Sequence, residues 1–101
     1  MFLLVTPPPL PEPTPIIVQY EIERQAKIYQ VDVSTAQRIA QCESTNRWNA
    51  TSSRSSAKGV YQFTKGTWEY IKAEGSPYDF EENIKQFMIH YPKHPGWWEC
   101  K

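Results

Sequence analysis

The sequence predicts a mainly α-helical, small single domain, and three observations lead to this prediction. The chain has 101 residues, which is the length of one domain. About four segments carry apolar residues at helical spacing or helix-capping residues, whereas a single short stretch has a turn-like or strand-like composition. Aromatic residues make up 14% of the chain, so large side chains are available to fill a small core.

Charge and composition exclude several classes of protein. Lys+Arg number 11 and Asp+Glu number 11, so the chain lacks the basic excess of a nucleic-acid-binding protein and we expect no nucleic-acid partner. No apolar run is long enough to span a membrane. The sequence contains no glycine-rich phosphate loop. We therefore expect no cofactor.

Proline usage divides the chain into two parts. Six of the nine prolines lie between Pro7 and Pro15, a stretch that favours an extended tether over a helix. The segment Met1 to Val5 is apolar like the end of a signal peptide but has no basic flank. Residues 1–15 are thus interpreted as a signal remnant or a Pro-rich disordered tether, and residues 16–101 as the domain.

Two helices are predicted in the first half of the domain. The first runs from Ile16 to Gln30 and presents a single apolar stripe made of Val18, Ile22, Ala26 and Tyr29. The second begins among Asp32 to Ser34, where Ser34 and Gln37 fit a capping box, and runs to about Ser44. Its inner face consists of Ala36, Ile39 and Ala40.

A polar loop separates these helices from two more. Residues 45–58 are rich in Ser and Asn, and residues 59–63 form a short turn or strand. A short helix is predicted from Thr67, as its N-cap, to Glu74, with Trp68 in the core and Gly75 as the stop. The last helix starts at the box formed by Asp79 and Glu82 and continues to Tyr91.

Glu43 is the candidate for chemistry. It follows Ala36, Ile39 and Ala40 by seven, four and three residues, so it shares their buried stripe. Burial disfavours the charged carboxylate, and the partial negative charge of the helix C-terminus acts in the same direction. A carboxylic acid that stays protonated near neutral pH is the general acid that cleavage of a glycosidic bond requires. The alternative is a glutamate at a frayed helix end that turns into solvent.

The order of short motifs carries a family resemblance. Glu43-Ser44 is followed by a polar loop, then by Ala57-Lys58-Gly59-Val60-Tyr61-Gln62-Phe63, by Thr67-Trp68 and by Asn83-Ile84. This order resembles the soluble lytic transglycosylases of the lysozyme-like superfamily. Cys42-Glu43-Ser44 with Thr67-Trp68 is also similar to the resuscitation-promoting factors, a related group of enzymes that cleave peptidoglycan.

The resemblance implies a lysozyme-like fold with a cleft for alternating MurNAc and GlcNAc sugars. It implies that Glu43 is the catalytic acid and base and that Gln62 reaches the sugar near the scissile bond. It also implies that Gly59 lets the backbone approach the substrate, that Ser44 caps the helix beside the acid and contacts the substrate, and that Asn83 is architectural. Among the aromatic residues, Trp48, Tyr61 and Trp97 are our candidates for stacking on sugar rings.

The two cysteines allow two interpretations. Cys42 and Cys100 form one disulfide if the protein is exported, or they are unrelated buried thiols in a reducing compartment. We expect the disulfide. His90 and His94 have a spacing that suits zinc on a helix, but Pro92 interrupts it, so we expect no metal.

The acidic residues favour a mechanism with one carboxylate. No Asp or Glu occurs between Glu43 and Glu69, and that interval holds Arg47, Arg54, Lys58 and Lys65, whose heads we expect to point away from Glu43. We predict a monomeric peptidoglycan lytic transglycosylase that acts on glycan strands at the cell envelope, outside the cell or on a phage virion. The alternatives are a hydrolytic muramidase assisted by Asp79 or by a polar group that positions water, and a sugar-binding or structural module without turnover.

Overall fold

A computed structural model describes residues 12–100, and the described chain confirms the mainly helical prediction. Its elements are α1 (Pro15–Tyr29), α2 (Val33–Ser44), α3 (Lys65–Tyr70), α4 (Phe80–His90) and a 3-10 turn (Pro95–Trp97). Within residues 12–100 the only β-type pairing consists of isolated bridges that join Lys58 to Thr51 and to Phe63. The predicted signal remnant and most of the Pro-rich segment lie outside the described residues.

Helix α1 lies within one residue of its predicted limits. Thr14 caps it, since the Thr14 hydroxyl accepts a hydrogen bond from the Ile17 N–H at 3.2 Å. Pro15 occupies the first turn, where its missing N–H costs nothing, so the helix starts inside the stretch we interpreted as a tether. The prediction that Tyr29 lies on the buried stripe is wrong. Tyr29 is 39% exposed because the helix ends there, and Val31 is buried beyond the turn instead.

Helix α2 ends at Ser44 as predicted but begins with a different cap. Asp32 is the N-cap, and its carboxylate accepts hydrogen bonds from the N–H and the hydroxyl of Thr35, each at 2.8 Å. Ser34 lies inside the first turn, so the capping box predicted for Ser34 and Gln37 is wrong. The Asp32 carboxylate satisfies the free N–H of Thr35, so the helix already begins at Val33.

Helix α3 starts earlier and ends earlier than predicted. Thr64 is its N-cap and accepts from the Thr67 N–H at 3.3 Å, so Thr67 lies in the first turn. The prediction that Trp68 belongs to the core is confirmed, since Trp68 is 7% exposed. Its indole N–H donates to the Gly75 carbonyl at 2.9 Å and fastens the segment that we expected to be helical up to Glu74.

Helix α4 begins at the predicted cap and completes the core. The Asp79 carboxylate accepts from the backbone N–H groups of Glu81 and Glu82. Helix α1 packs against both α2 and α4, and apolar residues from all four helices and from residues 60–63 meet in one core. No helix among residues 12–100 is both long enough and apolar enough to cross a membrane.

Candidate active site

Glu43 lies in the last turn of α2 and is half buried. Ala36, Ile39 and Ala40 on the same side of the helix are fully buried, which places the Glu43 side chain at the edge of the core. Among residues 12–100, none of the ion pairs involves Glu43. Burial raises the pKa of the Glu43 carboxyl, and the nearby Glu99 carboxylate raises it further. Both effects favour the protonated acid.

The cations of the loop after α2 do not lower the pKa of Glu43. Two of them contact other groups. The Arg47 Nε donates to the Ser44 carbonyl at 3.1 Å. The Lys58 ammonium lies 5.7 Å from the centre of the Tyr78 ring. Because the pKa of Glu43 carries no lowering contribution from a cation, these groups do not weaken its assignment as an acid.

Ser44 is a structural residue of the helix end. It is 3% exposed, and its hydroxyl donates to the Ala40 carbonyl at 3.2 Å. Thr45 follows in the left-handed conformation with φ 53°, and its N–H closes the helix on the Gln41 carbonyl. Ser44 therefore ends the helix directly after Glu43, as the resemblance implies, but its hydroxyl bonds to the backbone of the helix. These contacts give Ser44 a structural role, and its expected contact with substrate stays a prediction.

Gly59 allows the Asn83 side chain and the Pro77 carbonyl to lie close to its backbone. With φ 85° it adopts a conformation that disfavours other residues, and a Cβ there would collide with the Asn83 amide and the Pro77 carbonyl. Asn83 is fully buried and donates to the carbonyls of Lys58 and Pro77 while it accepts from the Tyr61 N–H. The architectural role expected of Asn83 agrees with these contacts. Gly59 is needed for this packing, which is a different reason from the predicted approach to substrate.

Tyr61 belongs to the core. It is fully buried, its ring stacks on Phe87 with centres 3.7 Å apart, and its hydroxyl donates to the Ala36 carbonyl at 2.8 Å. Burial also raises the pKa of the Tyr61 hydroxyl well above its usual range. Because no face of the ring is open, the prediction that Tyr61 stacks on a sugar is wrong. The tyrosine instead ties the turn at residues 59–63 to the inner side of α2.

Gln62 and Trp97, both predicted to contact the sugar, line the same small cavity of about 50 Å³. The Gln62 amide donates to the carbonyls of Ala50 and Gly59, at 3.1 and 2.9 Å, so its side chain is held in place. Trp97 is 40% exposed and stacks one face on His94 with centres 4.2 Å apart. The structure thus brings these two residues together.

Trp48 lies against a different aromatic neighbour. Its half-buried ring meets Tyr78 edge-on, with centres 6.3 Å apart. The Tyr78 hydroxyl shares a 2.6 Å hydrogen bond with Thr51. Trp48 is therefore partly open, and contact with a sugar stays a prediction.

A disulfide joins Cys42 to Cys100, with Cα atoms 5.7 Å apart. The expected pairing is thus present in the structure. Trp98, 4% exposed, donates its indole N–H to the Tyr61 carbonyl at 2.9 Å and holds the same segment against the core. Glu99 lies between these two anchors.

Sequence reasoning missed Glu99. The only signal that could have found it is the disulfide itself, since Glu43 follows one of the joined cysteines and Glu99 precedes the other. The histidines form no metal site of the kind considered: among residues 12–100 no group of three or more His, Cys, Asp or Glu side chains could hold a metal ion.

The described domain is small and helical, and it carries a half-buried glutamate, outside every ion pair of residues 12–100, at the end of a core helix. Comparison with protein families gives the class to which it belongs. The model of the Transglycosylase-like domain family matches residues 31–84, which is more than half of the 101-residue chain. The chain belongs to this family, which is part of the lysozyme-like superfamily. No curated protein and no solved structure matches the chain.

Proposed function

We propose that this protein is a peptidoglycan lytic transglycosylase that cleaves the β-1,4 bond between MurNAc and GlcNAc, with Glu43 as its acid and base. The observation that carries the proposal is the Glu43 carboxyl: half buried, outside every ion pair of residues 12–100, and with a raised pKa. The family match supplies the substrate class. Burial and the Glu99 charge both favour the protonated form that the reaction requires.

The reaction follows from one carboxyl group used twice. The Glu43 O–H donates its proton to the bridging oxygen, the bond from that oxygen to C1 of MurNAc breaks, and the GlcNAc side leaves as an alcohol. The positive charge that develops at C1 is stabilised by the N-acetyl group of the same sugar. The Glu43 carboxylate then takes the proton of the C6 hydroxyl, and O6 bonds to C1. The product is a 1,6-anhydro sugar, no water is consumed and Glu43 regains its proton.

Two neighbouring residues are our candidates for binding the glycan. Gln62 is fixed by its two amide hydrogen bonds, and Trp97 offers a partly open aromatic face at the same cavity. Sugar rings stack readily on such faces because C–H groups meet the π-system. Trp48 is a third candidate on the strength of its partial exposure alone.

The substrate and the disulfide indicate where the protein acts. Peptidoglycan lies outside the cytoplasmic membrane, and the Cys42–Cys100 disulfide fits an oxidising compartment. We therefore propose an exported monomer whose catalytic domain comprises residues 16–101 together with Thr14 and Pro15, which cap and begin α1. Association with a phage virion is a variant of the same proposal.

A hydrolytic muramidase is the second candidate, and Glu99 is the observation that favours it. Hydrolytic glycosidases commonly use a second carboxylate to activate water or to attack C1. We named Asp79 for that role, but its carboxylate accepts from two N–H groups at the start of α4 and serves as the cap. The carboxylate that acts on Glu43 is that of Glu99.

Product analysis decides between the two candidates. Purified peptidoglycan is digested with the oxidised protein, and the fragments are weighed by mass spectrometry. We expect ends that are lighter than reducing ends by one water. Reducing ends alone would establish hydrolysis and overturn the transglycosylase proposal.

Substitution of Glu43 tests the catalytic role itself. We expect Glu43→Gln to lower the rate of wall digestion by about 10²–10⁴-fold, since the amide cannot donate the proton. Glu74→Gln is the matched control, because Glu74 is exposed and its charge is not among the causes that shift the pKa of Glu43. Digestion that survives in Glu43→Gln would overturn the catalytic role of Glu43, and digestion that is absent from the wild type would leave the domain as a sugar-binding or structural module.

A further inference from the structure

Two acidic residues that are far apart in the chain flank the disulfide. Glu43 directly follows Cys42, and Glu99 directly precedes Cys100. The bond spans a sequence separation of 58 residues and brings the two Cα atoms to 5.7 Å. The disulfide therefore holds Glu43 and Glu99, the neighbours of the two cysteines, in one small region.

A second anchor restricts Glu99 from the other side. Trp98 is buried, and its indole N–H bonds to the Tyr61 carbonyl at 2.9 Å. Its ring meets Phe63 and Phe87 edge-on, with centres 5.5 and 4.9 Å away. Glu99 thus lies between a buried tryptophan and a covalent bond. Its backbone is fixed although its side chain is exposed.

The charge that acts on Glu43 is that of Glu99, and several other charged groups have contacts of their own. On the loop after α2, Arg47 bonds to the Ser44 carbonyl and Lys58 lies over the Tyr78 ring. In the last part of the chain, His90 and His94 stack with Trp97. Besides burial, the charge that raises the pKa of Glu43 is the Glu99 carboxylate.

We propose that Glu99 is a positioning residue of this active site, held in the region of Glu43 by the Cys42–Cys100 disulfide, and that its negative charge favours the protonated form of the catalytic acid. The inference rests on the proposed function for the meaning of that protonated form. It gives the disulfide a second role besides stabilising the fold, because the bond also fixes the position of the Glu99 carboxylate. A like charge near an acid is a general means of keeping that acid protonated.

The sign of the expected effect is fixed. Loss of the negative charge at residue 99 makes the charged form of Glu43 less unfavourable, so the pKa of Glu43 falls. A smaller fraction of the enzyme is then protonated at neutral pH, and the alkaline limb of the activity profile moves to lower pH. Because Glu99 is exposed, salt weakens the effect.

The test compares Glu99→Gln with Glu99→Asp, which keeps the charge, and with Glu74→Gln, which removes a charge elsewhere. The Glu43 carboxyl carbon is titrated by NMR in oxidised protein labelled at glutamate, and wall digestion is measured across pH. We expect Glu99→Gln to titrate at lower pH than the wild type and to lose about two- to fivefold of the activity on the alkaline limb at low salt. Glu99→Asp and Glu74→Gln should keep the wild-type midpoint and profile.

The two readouts separate this inference from the proposed function. A Glu43 midpoint that falls in Glu99→Gln supports the charge effect even if the protein digests no wall, in which case only the function fails. An unchanged midpoint in Glu99→Gln overturns the inference even if Glu43→Gln is inactive. A uniform loss of activity at every pH, with no shift of the profile, would mean that Glu99 is merely structural and would also overturn it.

Discussion

At the scale of single residues, the placement of Glu43 shows how far helical periodicity reaches. The spacing from Ala36, Ile39 and Ala40 predicts a carboxyl at the edge of the core, and the half-buried side chain with a raised pKa agrees with it. The same reasoning could not find Glu99, since its proximity to Glu43 depends on a covalent bond across the fold. Periodicity describes neighbours on one element and gives no information about a distant segment.

Tyr61 and Trp97 show a second limit at this scale. Both are large aromatic residues with polar atoms, so either could fill a core or bind a sugar. Tyr61 is fully buried because its hydroxyl finds the Ala36 carbonyl, whereas Trp97 stays 40% exposed. The deciding factor is a partner supplied by another helix, which residue type alone does not reveal.

Gly59 gives the residue-scale prediction. We expect Gly59→Ala to lower the free energy of unfolding by roughly 2–4 kcal/mol, since a Cβ at φ 85° collides with Asn83 and Pro77. Gly66→Ala is the control, because nothing lies within 4 Å of a Cβ there and alanine favours the helix. Urea unfolding followed by tryptophan fluorescence measures both. Equal stability of the two variants would show that the packing at Gly59 does not require a glycine.

At the scale of elements, the sequence predicts that all four helices exist, but it does not always predict the residue at which each helix begins. Helix α1 and α4 start where a single strong cap is available. Helix α2 and α3 each offer two candidates, Asp32 or Ser34 and Thr64 or Thr67, and in both cases the earlier residue is the cap. Short polar side chains of similar capping strength make such a choice a matter of tertiary packing.

The cap of α2 can be tested by two neighbouring substitutions. We expect Asp32→Ala to lower Tm by several degrees, because the N–H and hydroxyl of Thr35 lose their acceptor. Ser34→Ala should leave Tm nearly unchanged, since Ser34 is exposed and already within the helix. Thermal unfolding by circular dichroism compares the two proteins. The reverse order of the two Tm values would restore Ser34 as the cap.

At the scale of the whole molecule, the disulfide joins Cys42, near the end of α2, to Cys100. A domain of this size buries a limited core, so a cross-link contributes a large share of its stability. In the chain-entropy description, a loop closed over a separation of 58 residues is worth about 4 kcal/mol. Trp98 packs beside it, so some of the C-terminal packing survives when the bond is absent.

The last prediction concerns that cross-link. We expect the variant Cys42→Ser with Cys100→Ser to unfold with a free energy lower than that of the oxidised wild type by about 4 kcal/mol. Urea unfolding measures the difference, and mass measurement before and after reduction under denaturing conditions verifies the bond in the wild type. Reductant should move the wild-type curve toward that of the variant and leave the variant's own curve in place. If the oxidised wild type and the variant unfold at the same urea concentration, Trp98 and the aromatic core hold the C-terminal segment without the cross-link, and the disulfide would serve only to place Glu99.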